Sequence, residues 1–280
     1  MNPIEDVFQK LTITQSNDDD YTGEDGLLYC GKCHTPKQTR LENISFFGNR
    51  PLPVACRCRR EQEEREKAEQ ERRRHDDRVA YLRKACFTDQ AMYRWTFEND
   101  NGNCEQMKLA RLYVDRFPEM EKENIGYLLW GAVGTGKSFF AGCIANALLE
   151  QEIPVRMTNF ASILNDLNAT FEGRNEYIDQ LCKCRLLILD DFGMERGTEY
   201  SLEQVYNVID ARSRSGKPLI VTTNLTLSQL QNPIDTAHAR IYDRVLEMCA
   251  PIRFIGESFR RKTAGEKLRR LRQIQEDAKG

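Results

Sequence analysis

Residues 131–138 read GAVGTGKS and match G-x-x-x-x-G-K-[ST] at every fixed position. At average residue usage such a match arises by accident in roughly one chain in a hundred of this length, so a phosphate site outweighs a bare glycine turn. Gly131, Gly134 and Gly136 let the backbone turn tightly and aim N–H groups into one concavity. Val133 and Thr135 fill out that loop, and Phe139 lies in the helix expected to begin near Lys137, whose positive dipole end favours an anion. Lys137 would set its ammonium on β- and γ-phosphates, and Ser138 would offer a hydroxyl to Mg²⁺.

A second group of polar residues ends apolar runs. LLILDDFG delivers two carboxylates, Asp190 to hold Mg²⁺ through water and Asp191 to orient an attacking water. The plain alternative is that adjacent acids cap a following turn. IVTTN ends on Asn224, with Thr223 as the lesser candidate, a polar group able to hold the lytic water; a turn-initiating Asn is the alternative. AHARIYDRVLEMC carries Arg244 and Arg240 four apart, hence on one helical face. Either could complete the phosphate site of a neighbouring subunit, Arg244 first, or pair with Asp243 or Glu247. GESFRRK offers Arg260, or Arg261, to the γ-phosphate of its own chain. Ser138 and His238 belong to no credible Ser/His/Asp set, so nucleophilic catalysis is discounted.

Ten cysteines divide into two roles. Cys30-x-x-Cys33 and Cys56-x-Cys58 have the spacing of a tetrahedral Zn²⁺ site, with His34 as a substitute ligand and free thiols as the alternative. Four protein ligands leave no open position, so this metal would be structural. Cys86, Cys104, Cys143, Cys182, Cys184 and Cys249 read as small core residues.

The elements that must position these groups follow from the apolar pattern. Strands are expected at 126–131, 153–159, 185–191, 218–224 and 251–256, and helices at 137–151, 160–172, 199–214 and 235–249. Strand-length apolar runs alternating with helices imply an α/β fold with a five-stranded parallel sheet covered on both faces. Residues 59–84 are dense in both charge signs without Gly or Pro, which predicts a solvated spacer helix; missing apolar heptads argue against a coiled coil. Residues 1–28, with the acidic Asp18–Asp20, read as a short helix plus a mobile segment. The expected organisation is a zinc-binding domain at 1–60, a charged helical linker at 61–87 and an ATPase domain at 88–280.

The 280 residues carry 41 basic and 43 acidic side chains, net charge −2, which excludes a globally basic nucleic-acid coat. No apolar run reaches membrane-span length and the N-terminus lacks a signal-peptide pattern, so a cytoplasmic, reduced setting without a membrane partner is expected. No internal repeat is present. The basic start of RRKTAGEKLRRLRQIQEDAKG suits either a nucleic-acid contact or a solvated helix.

The ordered set LRKACFTDQAMYRWTFEND, GAVGTGKS, LLILDDFG, IVTTN, ARIYDRVLEM and GESFR, over about residues 80–262, resembles the DnaC/DnaI-like helicase loaders of bacteria and phages. These belong to the AAA+ ATPases and are close to the IstB transposition helpers. The resemblance implies a P-loop, three-layer AAA+ domain that binds ATP, Mg²⁺ and single-stranded DNA. It implies delivery of a hexameric DnaB-type replicative helicase in replication initiation, with homo-oligomers forming on assembly. The N-terminal cysteine pairs resemble the zinc-bearing, helicase-binding domain of DnaI-type loaders. Asp191 stands where many AAA+ proteins carry Glu, and about 24 residues follow the last predicted strand, which implies a truncated helical lid. An IstB-type transposition helper and a non-hydrolysing, nucleotide-switched adaptor are the competing readings.

Overall fold

The computed structural model describes residues 16–40, 51–100, 102, 104–169, 173–193 and 198–277, the side chains of 262 and 263 excepted. The chain divides into two compact units, Met1–Asp76 and Asp77–Gly280.

In the first unit, β1 (Tyr21–Thr22) pairs antiparallel with β2 (Leu28–Tyr29), and β3 (Gln38–Thr39) with β4 (Leu52–Pro53). Tyr21 and Thr22 fall in the segment read from sequence as mobile; their ladder to Tyr29 and Leu28 corrects that reading. The short helix expected further N-terminal lies outside the described residues. Buried residues of this unit, among those described, are Cys30, Lys37 and Cys56. A unit this small commonly draws cohesion from ion pairs or a metal besides its apolar core. One buried ion pair helps: Lys37 Nζ meets Asp20 Oδ2 at 2.5 Å, and Asp20 also accepts N–H bonds from Asn17 and Gly31.

The charged stretch forms one helix, α1 (Arg57–Cys86). Glu and Arg meet at i, i+4, as in Arg59–Glu63 and Arg73–Glu69. Exposed pairs of this kind add little each, and the helix owes its persistence to their number and to strong helix formers. Its buried residues, Val79, Leu82 and Cys86, all lie in the second unit.

The second unit is built on β5 (Gly126–Gly131), β6 (Val155–Asn159), β7 (Leu186–Phe192), β8 (Leu219–Thr223) and β9 (Cys249–Phe254). All are parallel, in the order β6-β7-β8-β5-β9. Alternate residues feed two cores. Tyr127, Leu129, Ile188 and Ile220 pack with α2 (Met107–Asp115) and α4 (Lys137–Glu150). Leu128, Leu187, Leu189 and Val221 pack with α5 (Phe160–Ala169), α6 (Arg174–Lys183), α7 (Glu199–Arg214) and α9 (Thr236–Met248). Both faces of the central strands are therefore covered, which is why GYLLWG, LLIL and LIV read as apolar runs.

Three further α-helices, α3 (Phe117–Lys122), α8 (Leu227–Gln231) and α10 (Phe259–Asp277), and two 3₁₀ helices, Gln90–Arg94 and Phe97–Asn99, complete the helices of the described residues. Neither α2, α3, α6 nor α8 was apparent in the sequence pattern. Cys182 lies on α6 and Cys184 just past its end, so neither takes a strand position. Arg212 of α7 is fully buried and donates to the carbonyls of Cys182, Cys184, Arg185 and Pro218, tying α7 to the segments entering β7 and β8.

Candidate active site

Parallel strands bring their carboxyl ends to one edge of the sheet, where ligands of such folds bind. β8 lies between β5 and β7. The glycine loop leaving β5, the acids at the end of β7 and Asn224 after β8 are therefore neighbours. They line a cleft of about 830 Å³ together with Gly134, Gly136, Ser138 and Arg260.

The loop is held from within and from behind. Gly131, Gly134 and Gly136 all have positive φ, at 144°, 82° and 98°. A side chain at Gly134 would also strike Ser258 Oγ at 2.1 Å. Thr135 Oγ1 donates to Ala132 O, and the Phe259 N–H donates to Gly134 O at 2.9 Å. The first turn of α10 thus rests on the loop, an association that linear spacing could not reveal.

Lys137 folds over this loop. Its Nζ donates to Gly131 O at 2.9 Å, Ala132 O at 2.8 Å and Asn224 Oδ1 at 2.9 Å. Burial lowers the ammonium pKa, while Asp191 and Asp190 act to raise it. Asp190 is pushed above the usual carboxylate range by burial, opposed by hydrogen bonds from Thr222 and Ser138. Asp191 is exposed, lines the cleft and has φ +55°, a left-handed backbone rare outside glycine. The β7–β8 register shifts between Leu189 and Phe192, so the acid pair sits on a bulge. Thr222 was missed from sequence. Its hydroxyl donates to Asp190 Oδ1 at 2.6 Å and accepts from the Asp191 N–H at 3.0 Å. One signal was available: a polar residue inside an otherwise apolar, buried strand needs a partner.

The remaining site residues separate. Val133 and Phe139 line the cleft. Thr223 is fully buried and bonds Phe192 O and the Leu225 N–H, so its hydroxyl serves the backbone. Arg240 is exposed on α9, and Arg244 pairs with Asp210 of α7 at 3.2 Å and with Glu247 at 3.6 Å. Neither arginine, nor Arg261, is among the residues lining this cleft. Also missed were Met92, Trp95, Cys104 and Met107, apolar lining of the kind that takes a flat ring, which the cleft carries along with the polar Asp89, Asn99 and Asp100.

The oxygen donors fit Mg²⁺. Ser138 and Asp190 line the same cleft, and hard oxygen ligands beside a phosphate site are what this ion takes.

In the first unit the Sγ atoms of Cys30, Cys33, Cys56 and Cys58 all lie within 4.8 Å of one another. Cys30–Cys58 is 3.6 Å and Cys56–Cys58 is 3.4 Å. A tetrahedron with Zn–S of about 2.3 Å places sulfurs about 3.8 Å apart, so the cluster fits Zn²⁺ with little adjustment. Backbone N–H groups of Cys33 and Lys32 lower the Cys30 pKa. The Thr35 hydroxyl and the Cys58 N–H bring Cys33 down to about 5, while neighbouring thiols push Cys58 up to about 12. Four sulfurs this close cannot all ionise without a cation between them. Gly31 is required in this turn, because a Cβ would lie 2.0 Å from Asp19 O. His34 turns away from the cluster, its Nδ1 3.3 Å from the Tyr21 hydroxyl.

Residues 60–267 match the family described as IstB-like ATP binding protein. The chain belongs to that family. Within it, the chain is 26% identical over 180 residues to the replicative helicase loader DnaC of Escherichia coli K12, covering 61% of this chain and 71% of DnaC. It is 25% identical over 195 residues to the replicative helicase loader DnaI of Bacillus subtilis, covering 64% and 62%. A protein of a Mycobacterium tuberculosis insertion sequence is 30% identical over 191 residues, covering 66% and 74%. The fold is shared with crystal structures of DnaI (TM-score 0.51, 22% identity, 62% of this chain, 94% of that one) and the DnaC helicase loader (0.50, 19%, 60%, 100%). This IstB-like protein therefore carries the ATP-binding P-loop and five-stranded parallel sheet expected of an AAA+ domain. Among its described residues no helix is long and apolar enough to cross a membrane.

Proposed function

We propose that this protein is an ATP-dependent loader that places a ring-shaped replicative helicase on single-stranded DNA. The observation that supports it most is the convergence of Lys137, Ser138, Asp190, Asp191 and Asn224 on one cleft, in a chain similar to DnaC and DnaI. The loop N–H groups and Lys137 bind the β- and γ-phosphates, and the apolar lining of the cleft takes the base. Ser138 and Asp190 hold Mg²⁺, which supplies charge neutralisation at the transferring phosphoryl group. Asp191 and Asn224 orient the attacking water, and Arg260 contacts the γ-phosphate from the first turn of α10. Arg244, or Arg240, completes the site of the next subunit in an oligomer. Asp191 is one methylene shorter than Glu, which favours slow turnover and a switch-like cycle. The four-cysteine unit holds Zn²⁺ as a structural metal and docks on the helicase.

The test is co-purification with the replicative helicase of the same host, with and without ATP, followed by ATP hydrolysis with single-stranded DNA present. ATP-dependent capture with stimulated turnover is expected; the absence of any adenine-nucleotide binding by folded protein ends the reading. A second reading, a helper ATPase for transposition, is favoured by the family match and the insertion-sequence relative. It predicts capture of a transposase instead. Tight ATP binding with negligible turnover in all mixtures would point to a nucleotide-switched adaptor.

A further inference from the structure

We propose that Thr222 is the positioning residue that sets the acid pair, through one hydroxyl placed across the bulge in β7. The proposal rests on the ATP–Mg²⁺ reading of the cleft and deepens it.

Leu187, Ile188 and Leu189 pair in register with Leu219, Ile220 and Val221, and the register then shifts before Phe192 meets Thr223. Asp190 and Asp191 fall in the gap and lose their ordinary ladder to β8. Asp191 turns into the left-handed region there, at φ +55°. Its N–H would be an orphan donor in this gap without another acceptor. The Thr222 hydroxyl supplies that acceptor at 3.0 Å.

The same oxygen then has one proton to give, and Asp190 Oδ1 receives it at 2.6 Å. The directions follow from the groups: the Asp191 amide can only donate, so the hydroxyl accepts from it, and an ionised Asp190 can only accept, so the hydroxyl donates to it. Thr222 is fully buried, so its hydroxyl has these two partners from β7 and none from bulk water. One side chain therefore holds the carboxylate of one acid and the backbone of the other. Neighbouring Thr223 also spans to β7, but bonds the Phe192 carbonyl and touches neither acid. Second-sphere groups of this kind fix the rotamer of a metal-binding carboxylate, and their loss typically lowers metal affinity 10- to 100-fold.

The experiment uses the full chain and a fluorescent ATP analogue. Affinity is measured in EDTA and across a Mg²⁺ titration for wild type, Thr222→Val, Thr222→Ala and Thr222→Ser. The two variants lacking the hydroxyl should need about tenfold more Mg²⁺ or beyond for half-maximal effect. Their affinity in EDTA should stay within about twofold of wild type, because the loop and Lys137 are untouched. Thr222→Ser keeps the hydroxyl and should restore the wild-type Mg²⁺ response. Wild-type Mg²⁺ dependence in Thr222→Val or Thr222→Ala overturns the proposal. So does an equal loss with and without Mg²⁺, since that is a packing effect; Thr222→Ala covers the case in which Val does not fold. Failure of the wild-type protein to bind the analogue at all would instead overturn the functional reading.

Discussion

Lys137→Ala tests the phosphate site most directly. All three donors of the Lys137 ammonium are engaged, at 2.8–2.9 Å from Gly131 O, Ala132 O and Asn224 Oδ1. An entering phosphate oxygen must displace at least one of them. An ammonium–oxyanion pair at about 4 Å is worth about 4 kcal/mol at an effective dielectric of about 20. Giving up one charge-assisted hydrogen bond costs about 1.5–3 kcal/mol. The difference, about 2 kcal/mol, corresponds to roughly 30-fold in Kd. Isothermal titration calorimetry with Mg²⁺-ATP should therefore show a Kd about 30-fold weaker in Lys137→Ala. Thermal unfolding without nucleotide should change little, because removing a desolvated ammonium offsets the lost bonds. A Kd within about threefold of wild type would refute the reasoning, since the ammonium would then contribute less than about 0.7 kcal/mol.

Other expectations follow the same logic. Burial raises the Asp190 pKa, so ionising it costs stability; that cost is absent below the unfolded carboxylate pKa and complete above the folded one. Asp190→Asn should accordingly raise Tm at pH 7 without nucleotide, lose the advantage as pH falls through the acid range, and weaken Mg²⁺-dependent ATP binding. Cys30→Ser should release Zn²⁺ and unfold the first unit while leaving the ATPase unit intact; a parent protein with no zinc by metal analysis would remove the basis for this. Arg244→Ala should spare ATP binding but lower assembly-dependent hydrolysis at least tenfold. Mixing it with Asp191→Asn should rebuild some shared sites, and no recovery would assign Arg244 to its Asp210 pair alone.

Much of the second unit is legible in the chain because its strands are buried on both faces. A parallel strand that contacts helices above and below is apolar at most positions, so GYLLWG and LLIL stand out without an alignment. The loop is equally legible, since phosphate cradling demands glycine at fixed offsets from one lysine. The helices α2 and α3 were not, because their short amphipathic patterns become meaningful only once Tyr113 is seen against both Phe117 and Tyr127. The two-residue strands near the cysteines were not legible either: with Cys30, Lys37 and Cys56 as the buried residues described there, no hydrophobic period exists to read.

Residue types and spacing alone thus determined the chemistry on offer: an anion cradle, an acid pair, a sulfur cluster and an alternating α/β chain. Tertiary structure alone decided the contacts between distant segments. It set Asn224 against Lys137, the first turn of α10 against Gly134, Arg244 beside Asp210 and Thr222 beneath the acids. The division has a physical cause. Local backbone demands are written into adjacent residues, whereas a hydrogen bond across 32 or 87 positions depends on strand order and register, which no short window of sequence contains.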